Sequence, residues 1–381
     1  MTSRHALVIG ASGLAGWGIA NVLLDGYPTA GAFEKVTALV NRPMTVAESY
    51  WPQHPGGPKL NLVSGIDLTK GSAEEFLQRV NEKVPDFSTV THVFYFAYKE
   101  GGNESEVNHA MAYGAHISGK ILSVPLKEED AKVDEGADDT THYTALRSAL
   151  TSASVGKAWS WCEVIPDAII GFAPKGSTFS IAAHWGAYLA TVALVDGAGT
   201  KVPFPGVAAS YDVLFTEASA DNIARQSIWL AIHPEVSSRQ AFNVADCGSK
   251  PTLTSERWGQ LCHYFGLEGA APLVCISIKN RSAYRRAHTI LSSFLKPDPK
   301  SQPLPSEYIK LHEAVLNANR RQVAEVWRSD FLDQYGWWQL TDRQFSMGKL
   351  TEAGYMTETD PLASWTAAFD RFRVAGMLPE K

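Results

Sequence analysis

The stretch HALVIGASGLAG, His5 to Gly16, decides the reading of the fold. Its first five residues form a short apolar run that breaks straight into Gly10, Gly13 and Gly16. A buried strand, a glycine-rich turn and then a helix is the order of a phosphate-binding corner. The glycines serve a tight turn, close backbone approach to a pyrophosphate, and close contact between helix and strand. The helix expected over Leu14 to Leu24 aims its free N–H groups and positive dipole end at the phosphate. The corner predicts a bound dinucleotide.

Working outward, KVTALV (Lys35 to Val40) reads as a second buried strand, ending at Asn41 and Arg42. LNLVSGIDL (Leu60 to Leu68) reads as a third and VTHVFYFAY (Val90 to Tyr98) as a fourth, with helical spacing over Ser72 to Val84 between them. SWCEVIPDAIIGF (Ser160 to Phe172) reads as a later strand. Strands alternating with helices at this spacing define an α/β class with a doubly wound parallel sheet. Beyond Gly171 the alternation stops. A loop, FAPKGSTF, leads to helices expected over Ile181 to Val195, Ala220 to Ile232 and Ser255 to Phe265, then to a Trp-rich C-terminal region. The expected organisation is a nucleotide-binding domain over 1–175 and a smaller, mostly helical substrate-binding region over 176–381, partly interleaved with the first. It would form the pocket over the carboxyl ends of the strands.

Composition narrows the classes. The 381 residues are 45% hydrophobic, enough for a large core, and the net charge is −6. With no long basic stretch, nucleic acid is a poor partner. The longest apolar stretch, Trp185 to Val195, is too short to span a bilayer. Four cysteines (Cys162, Cys247, Cys262, Cys275) lack metal spacing and read as reduced, buried thiols. A soluble cytoplasmic globule is the expectation, and the sequence leaves a homodimer open. The window Val40 to Val46 holds Arg42 and no Asp or Glu. Arg42 therefore favours NADP over NAD, because an arginine there accommodates a 2′-phosphate; its plainer reading is a solvated surface arginine.

Several further stretches, taken in order, resemble a known family. They are GASGLAG, THVFYFAY, VPLKEED, HYTAL, WSWCEVIPDAIIGFAPKG, QAFNVAD (Gln240 to Asp246), LTDRQFSMGKLTEAGYMTE and AFDRFRVAGMLP. Together they are similar to short-chain dehydrogenase/reductase proteins of the progesterone 5β-reductase and iridoid synthase group, in its fungal branch. The resemblance implies an extended Rossmann fold, NADP(H) as cofactor, and reduction of a C=C or C=O in a small apolar enone or carbonyl metabolite. It places Gly10, Ser12, Gly13, Leu14, Ala15, Gly16 and Arg42 on the cofactor, with Asp67 and Leu68 edging the adenine. Ala97, near the end of the fourth strand, also lies on the cofactor, and Pro166 and Ile169 flank the nicotinamide. Tyr143 is the matching catalytic tyrosine, a phenol that bonds the substrate oxygen.

Departures from the pattern cluster at the chemistry. The family lysine before a Tyr-Gly pair is Met111 here, ahead of Tyr113 and Gly114; its arginine is Ile165, its asparagine Ser180, and an aromatic lining position is Tyr98. Between Phe96 and Ser160, where the family places a crossover helix and a central strand, only ILSVPL (Ile121 to Leu126) is apolar. Roughly two dozen residues of such a unit are missing by this reading. Either AHISGK (Ala115 to Lys120) forms a stunted strand, with Lys120 replacing the lysine, or the sheet lacks one. These changes keep open a non-redox isomerase or cyclase, or a relative without activity.

Arg147, four residues after Tyr143, shares its helix face, with a solvated arginine the better reading. Tyr95 and Lys99 repeat the spacing on a strand, where it separates side chains. His142 and His184 are acid–base candidates that more commonly serve structure. The tryptophans (Trp159, Trp161, Trp337, Trp338) read as packing, and the run Lys127 to Asp130 as a solvated loop.

Overall fold

The computed structural model describes residues 3–98, 123–131, 142–177, 179–273, 304–322, 326–336, 339 and 341–380. Lys99, Met111, Tyr113, Gly114, Ala115 to Lys120, Cys275, Trp337, Trp338 and the His142 side chain lie outside them.

Strand β1 (His5–Ile9) is buried at every position. Its run is continuous because helices cover both faces of a parallel sheet, removing the usual alternation. Even His5 is enclosed, its Nδ1 and Nε2 each 2.8 Å from a threonine hydroxyl (Thr89 and Thr37). Burial, then the Lys35 charge, lowers its pKa. Helix α1 (Leu14–Leu24) is buried on ten of its eleven residues, so it is hydrophobic all round. Strands β2 (Lys35–Val40) and β3 (Lys59–Ser64) follow, β3 ending four residues before the expected Leu68. Helix α2 (Ala73–Lys83) opens on a reciprocal Ser72–Glu75 capping box. Its Phe76 and Val80 meet Leu7, Ile9, Leu39 and Val63 on one face of the sheet.

Strand β4 (His92–Tyr95) is only four residues, shorter than VTHVFYFAY predicts. The parallel order is β3-β2-β1-β4. Among the described residues this sheet has no further strand beyond β4. Helix α3 (His142–Ala153) precedes β5 (Cys162–Pro166), and the expected single strand over 160–172 divides into β5 and β6 (Ile169–Ile170). Strand β5 pairs in parallel with Gln240–Val244 as a separate two-stranded sheet. Among the described residues no strand joins that pair to β4.

Helix α4 (Ile181–Asp196) starts one residue after Ser180, whose hydroxyl accepts from Ala183 N–H at 3.1 Å and donates to Gly171 O at 2.8 Å. Helix α5 (Ala220–Ile232) packs tightly on α1, since a Cβ on Gly18 would lie 2.4 Å from Ala220 O. The later half is not purely helical. Lys201–Pro203 pairs with Glu268–Ala270, and Leu214–Phe215 with Thr252–Leu253. Helices α6 (Thr254–Tyr264) and α7 (Pro361–Val374) complete the core, with Trp258, Phe369 and Phe372 inside it. No helix among the described residues is long and apolar enough to cross a membrane.

Candidate functional site

The carboxyl ends of β1 and β2 meet at the glycine corner. The amides of Gly10 and Ala11 both donate to Leu39 O, at 3.2 and 3.1 Å, which pins the loop to β2. Gly10 has φ +82°, and a Cβ there would lie 2.7 Å from Ala97 Cα. At Gly16 a Cβ would lie 2.3 Å from Gly10 O. Gly13 caps α1 with no side-chain hydrogen bond. The first-turn N–H groups are thereby offered to an anion. Ser12 is half-buried, while Leu14 and Ala15 are buried beneath the loop. A Cβ at Gly10 or Gly16 would collide with the backbone of Ala97 or Gly10, so glycine is required for this turn, and the free first-turn amides it leaves fit a dinucleotide pyrophosphate.

Arg42 stands exposed just past β2. Asp67 is engaged by its own turn: its Oδ1 accepts from Thr69 N–H at 2.9 Å and Thr69 Oγ1 at 2.7 Å. Leu68 beside it is exposed. Ala97 abuts Gly10, so the glycine corner and the exit of β4 are one packed unit.

Tyr98 carries that unit towards Tyr143. Its ring stands edge-on to Phe179 at 5.5 Å, and its hydroxyl raises the pKa of Tyr143. Burial is the larger cause of that rise; Glu163 adds to it and Arg147 opposes it. Arg147 forks onto Glu163 of β5, with Nη2 3.1 Å from Oε1 and Nε also bonded to Oε2. The guanidinium is thus neutralised by a carboxylate, and it is a paired group rather than a solvated one. Tyr143 is a phenol that holds its proton across the neutral range, fit to donate a hydrogen bond. Glu163 was illegible in advance, since nothing local to β5 marks it as the partner of a helix 16 residues earlier.

The remaining candidates are placed as follows. His184 is fully buried; Nδ1 lies 2.7 Å from Ser180 O and Nε2 accepts from Arg328 N–H at 3.1 Å, which fixes a neutral tautomer. Ile165 packs with Leu126 and Phe345. Pro166 ends β5 and Ile169 starts β6, on either side of Asp167, which bonds Arg343 at 2.7 Å. Glu128, expected in a solvated loop, accepts from Asn243 N–H at 2.8 Å. Cys162 and Cys247 are half-buried and Cys262 is buried, all with free thiols. Trp159 is exposed. A half-open pocket of about 70 Å³ lies beside Ala168 and Ile170, walled by Trp185, Phe204, Trp258 and Trp365. That is room for a few waters, well below the ~300 Å³ of a typical ligand pocket.

The PRISE-like Rossmann-fold domain model matches residues 6–112 and 107–281, and the chain belongs to that family. It is similar to short chain dehydrogenase ausT of Aspergillus calidoustus, 33% identical over 71% of this chain and 73% of that one. Short chain dehydrogenase sirQ of Leptosphaeria maculans is 32% identical, covering 70% and 75%. A 3-oxo-Delta(4,5)-steroid 5-beta-reductase of Arabidopsis thaliana is 24% identical over 69% of each chain. Among solved structures, a UDP-glucose 4-epimerase of Thermotoga maritima superposes with TM-score 0.51 at 10% identity, covering 97% of this chain and 99% of that one. The chain is a short-chain-dehydrogenase-like enzyme with an extended Rossmann fold.

Proposed function

We propose that this enzyme is an NADP(H)-dependent reductase of a C=C or C=O in a small apolar carbonyl metabolite. The observation that carries the reading is the intact corner at Gly10, Gly13 and Gly16, whose packing leaves the first-turn amides of α1 without a side-chain cap. The first turn of α1 would hold the pyrophosphate, and Arg42 the 2′-phosphate. Pro166 and Ile169 would border the nicotinamide, which supplies hydride when bound. Tyr143, kept protonated, donates a hydrogen bond to the substrate oxygen as negative charge develops there, a role that needs no ionised tyrosine. A 24%-identical relative is named a steroid reductase, which supports the carbonyl class.

The test is NADPH binding by fluorescence titration, followed by turnover against a panel of enones and ketones. Tight binding with no turnover of any member overturns the redox step. The pairing of Arg147 with Glu163 favours one second reading, a non-redox isomerase or cyclase on the same frame. Gly13→Asp separates the two, because a carboxylate at that position repels the pyrophosphate. Product formed equally by that variant without NADPH identifies the non-redox enzyme.

A further inference from the structure

Two loops lie against the first turn of α1 and are tied to each other beside it. One follows β2. It runs through Arg42 into a single helical turn, Val46–Ser49, where Trp17 Nε1 of α1 donates to Ser49 O at 2.7 Å. Met44 N–H, 3.3 Å from Ser64 Oγ, fastens the same loop to the end of β3. The other loop follows β6. A Cβ on Gly171 would lie 3.3 Å from Leu14 Cδ1, and the Phe172 ring stands edge-on to Trp17 at 5.0 Å and to Tyr50 at 5.7 Å. From this second loop Lys175 reaches Glu48 in the first, 127 positions away in sequence, with Nζ 2.6 Å from Oε1.

Glu48 is held through both of its oxygens. Its Oε2 accepts from Thr45 N–H at 2.8 Å and from Thr45 Oγ1 at 2.9 Å, while Thr45 Oγ1 accepts from Glu48 N–H at 3.2 Å. This capping box sets the carboxylate on the amide of a residue three past Arg42. Three residues of chain span at most about 11 Å, close to the Debye length at 0.1 M salt. The bond from Lys175, then those from Thr45, hold the carboxyl down at about 2, so it stays ionised at every working pH. Glu48 is also the only acidic residue from Val40 to Ser64. The loop that presents Arg42 therefore carries one fixed negative charge, and Lys175 is its counter-charge.

We infer that Lys175 sets the choice between NADPH and NADH through Glu48: by neutralising that carboxylate it keeps the Arg42 loop receptive to a 2′-phosphate. The inference rests on the reading that Arg42 receives this phosphate. Lys175 is then a positioning residue, acting through Glu48 rather than on the cofactor. An unopposed carboxylate within reach of the phosphate repels it and offsets part of the attraction to Arg42. The pair is partly exposed, at 29% for Lys175 and 48% for Glu48, so solvent screens it and the effect is of the order of tenfold. NADH has no 2′-phosphate and is indifferent to the same charge.

The experiment measures Kd for NADPH and for NADH by fluorescence titration in the full chain and in Lys175→Met, Lys175→Arg, Glu48→Gln and the Lys175→Met/Glu48→Gln double variant. Lys175→Met is expected to weaken NADPH about 5- to 10-fold at low salt and NADH by less than about twofold. The gap from the parent should close to within about twofold at about 0.5 M salt, where the Debye length is about 4 Å. Lys175→Arg keeps the counter-charge and the parent ratio. The double variant should return to the parent ratio, since it removes both charges together. Equal weakening of NADPH and NADH in Lys175→Met overturns the inference, because the lysine then only holds the loop. A double variant as weak on NADPH as Lys175→Met overturns it too, because the lysine then touches the phosphate itself. A parent that prefers NADPH, with an unchanged ratio in Lys175→Met, overturns this inference alone. A parent without that preference overturns the Arg42 reading and the inference with it.

Discussion

Leu7 on β1 and Val93 on β4 are paired in register on the same face of one sheet, and so are Ile9 and Tyr95. The first member of each pair lies under α2 and the second is open to solvent. Nothing in the two strands explains this, for HALVI and HVFY are both runs suited to burial on two faces. A strand's pattern states what it requires, while its cover comes from elements distant in sequence. The same contrast separates the glycine corner, where every close contact is in place, from the Tyr143 helix, whose cation is bound to Glu163.

The largest effect belongs to the covered side. Leu7→Ala should cost about 3 kcal/mol in urea unfolding, the usual loss for a truncated core leucine. A loss below about 1 kcal/mol would show that α2 does not seal that face. In the β5 sheet, Asp246 follows the strand Gln240–Val244 and accepts from Ser219 N–H at 2.7 Å and Ser219 Oγ at 2.8 Å. Burial, its leading cause, pushes its carboxyl up to about 6. A carboxyl raised in the folded state binds its proton more tightly there, so its contribution is full below pH ~4 and is lost as pH rises through about 6. Asp246→Asn should remove that slope, worth up to ~3 kcal/mol between those limits. Parallel melting curves at pH 4.5 and 7 check it, and an unchanged slope would assign the dependence to other groups.

Tyr143→Phe should lower kcat by about 10- to 100-fold while NADPH affinity holds, since the corner does not touch that hydroxyl. The parent's kcat should stay flat from pH 6 to about 8.5, because burial raises the phenol's pKa and keeps it protonated. A rate that climbs with pH through this range would mean an ionised tyrosine and break the hydrogen-bond role. Smallest of all, Val93→Ala on the uncovered face should change stability by less than about 0.5 kcal/mol, as at other surface positions. Equal losses at Leu7 and Val93 would erase the comparison.

Much of the frame was legible because it is encoded locally. The bounds of α1, β2 and α5 follow from apolar runs bracketed by glycine, Ser219 and polar loops. The glycine corner was equally plain, as tight turns demand particular residues wherever they occur. The site was legible only in part. Tyr143 and Arg147 could be placed on one helix face, but the Glu163 fork, the Tyr98 contact and the neutral, backbone-held His184 depend on chain far away in sequence.

The sequence by itself determined a dinucleotide corner and a parallel α/β frame, because each rests on near-neighbour sterics or periodicity, whereas Tyr143 was named by the family resemblance alone. Tertiary structure decided the strand order among the described residues, which of two like strands is covered, and that Arg147 is committed to a carboxylate. Those outcomes depend on which distant surfaces meet, and burial, pairing and desolvation take their values only there.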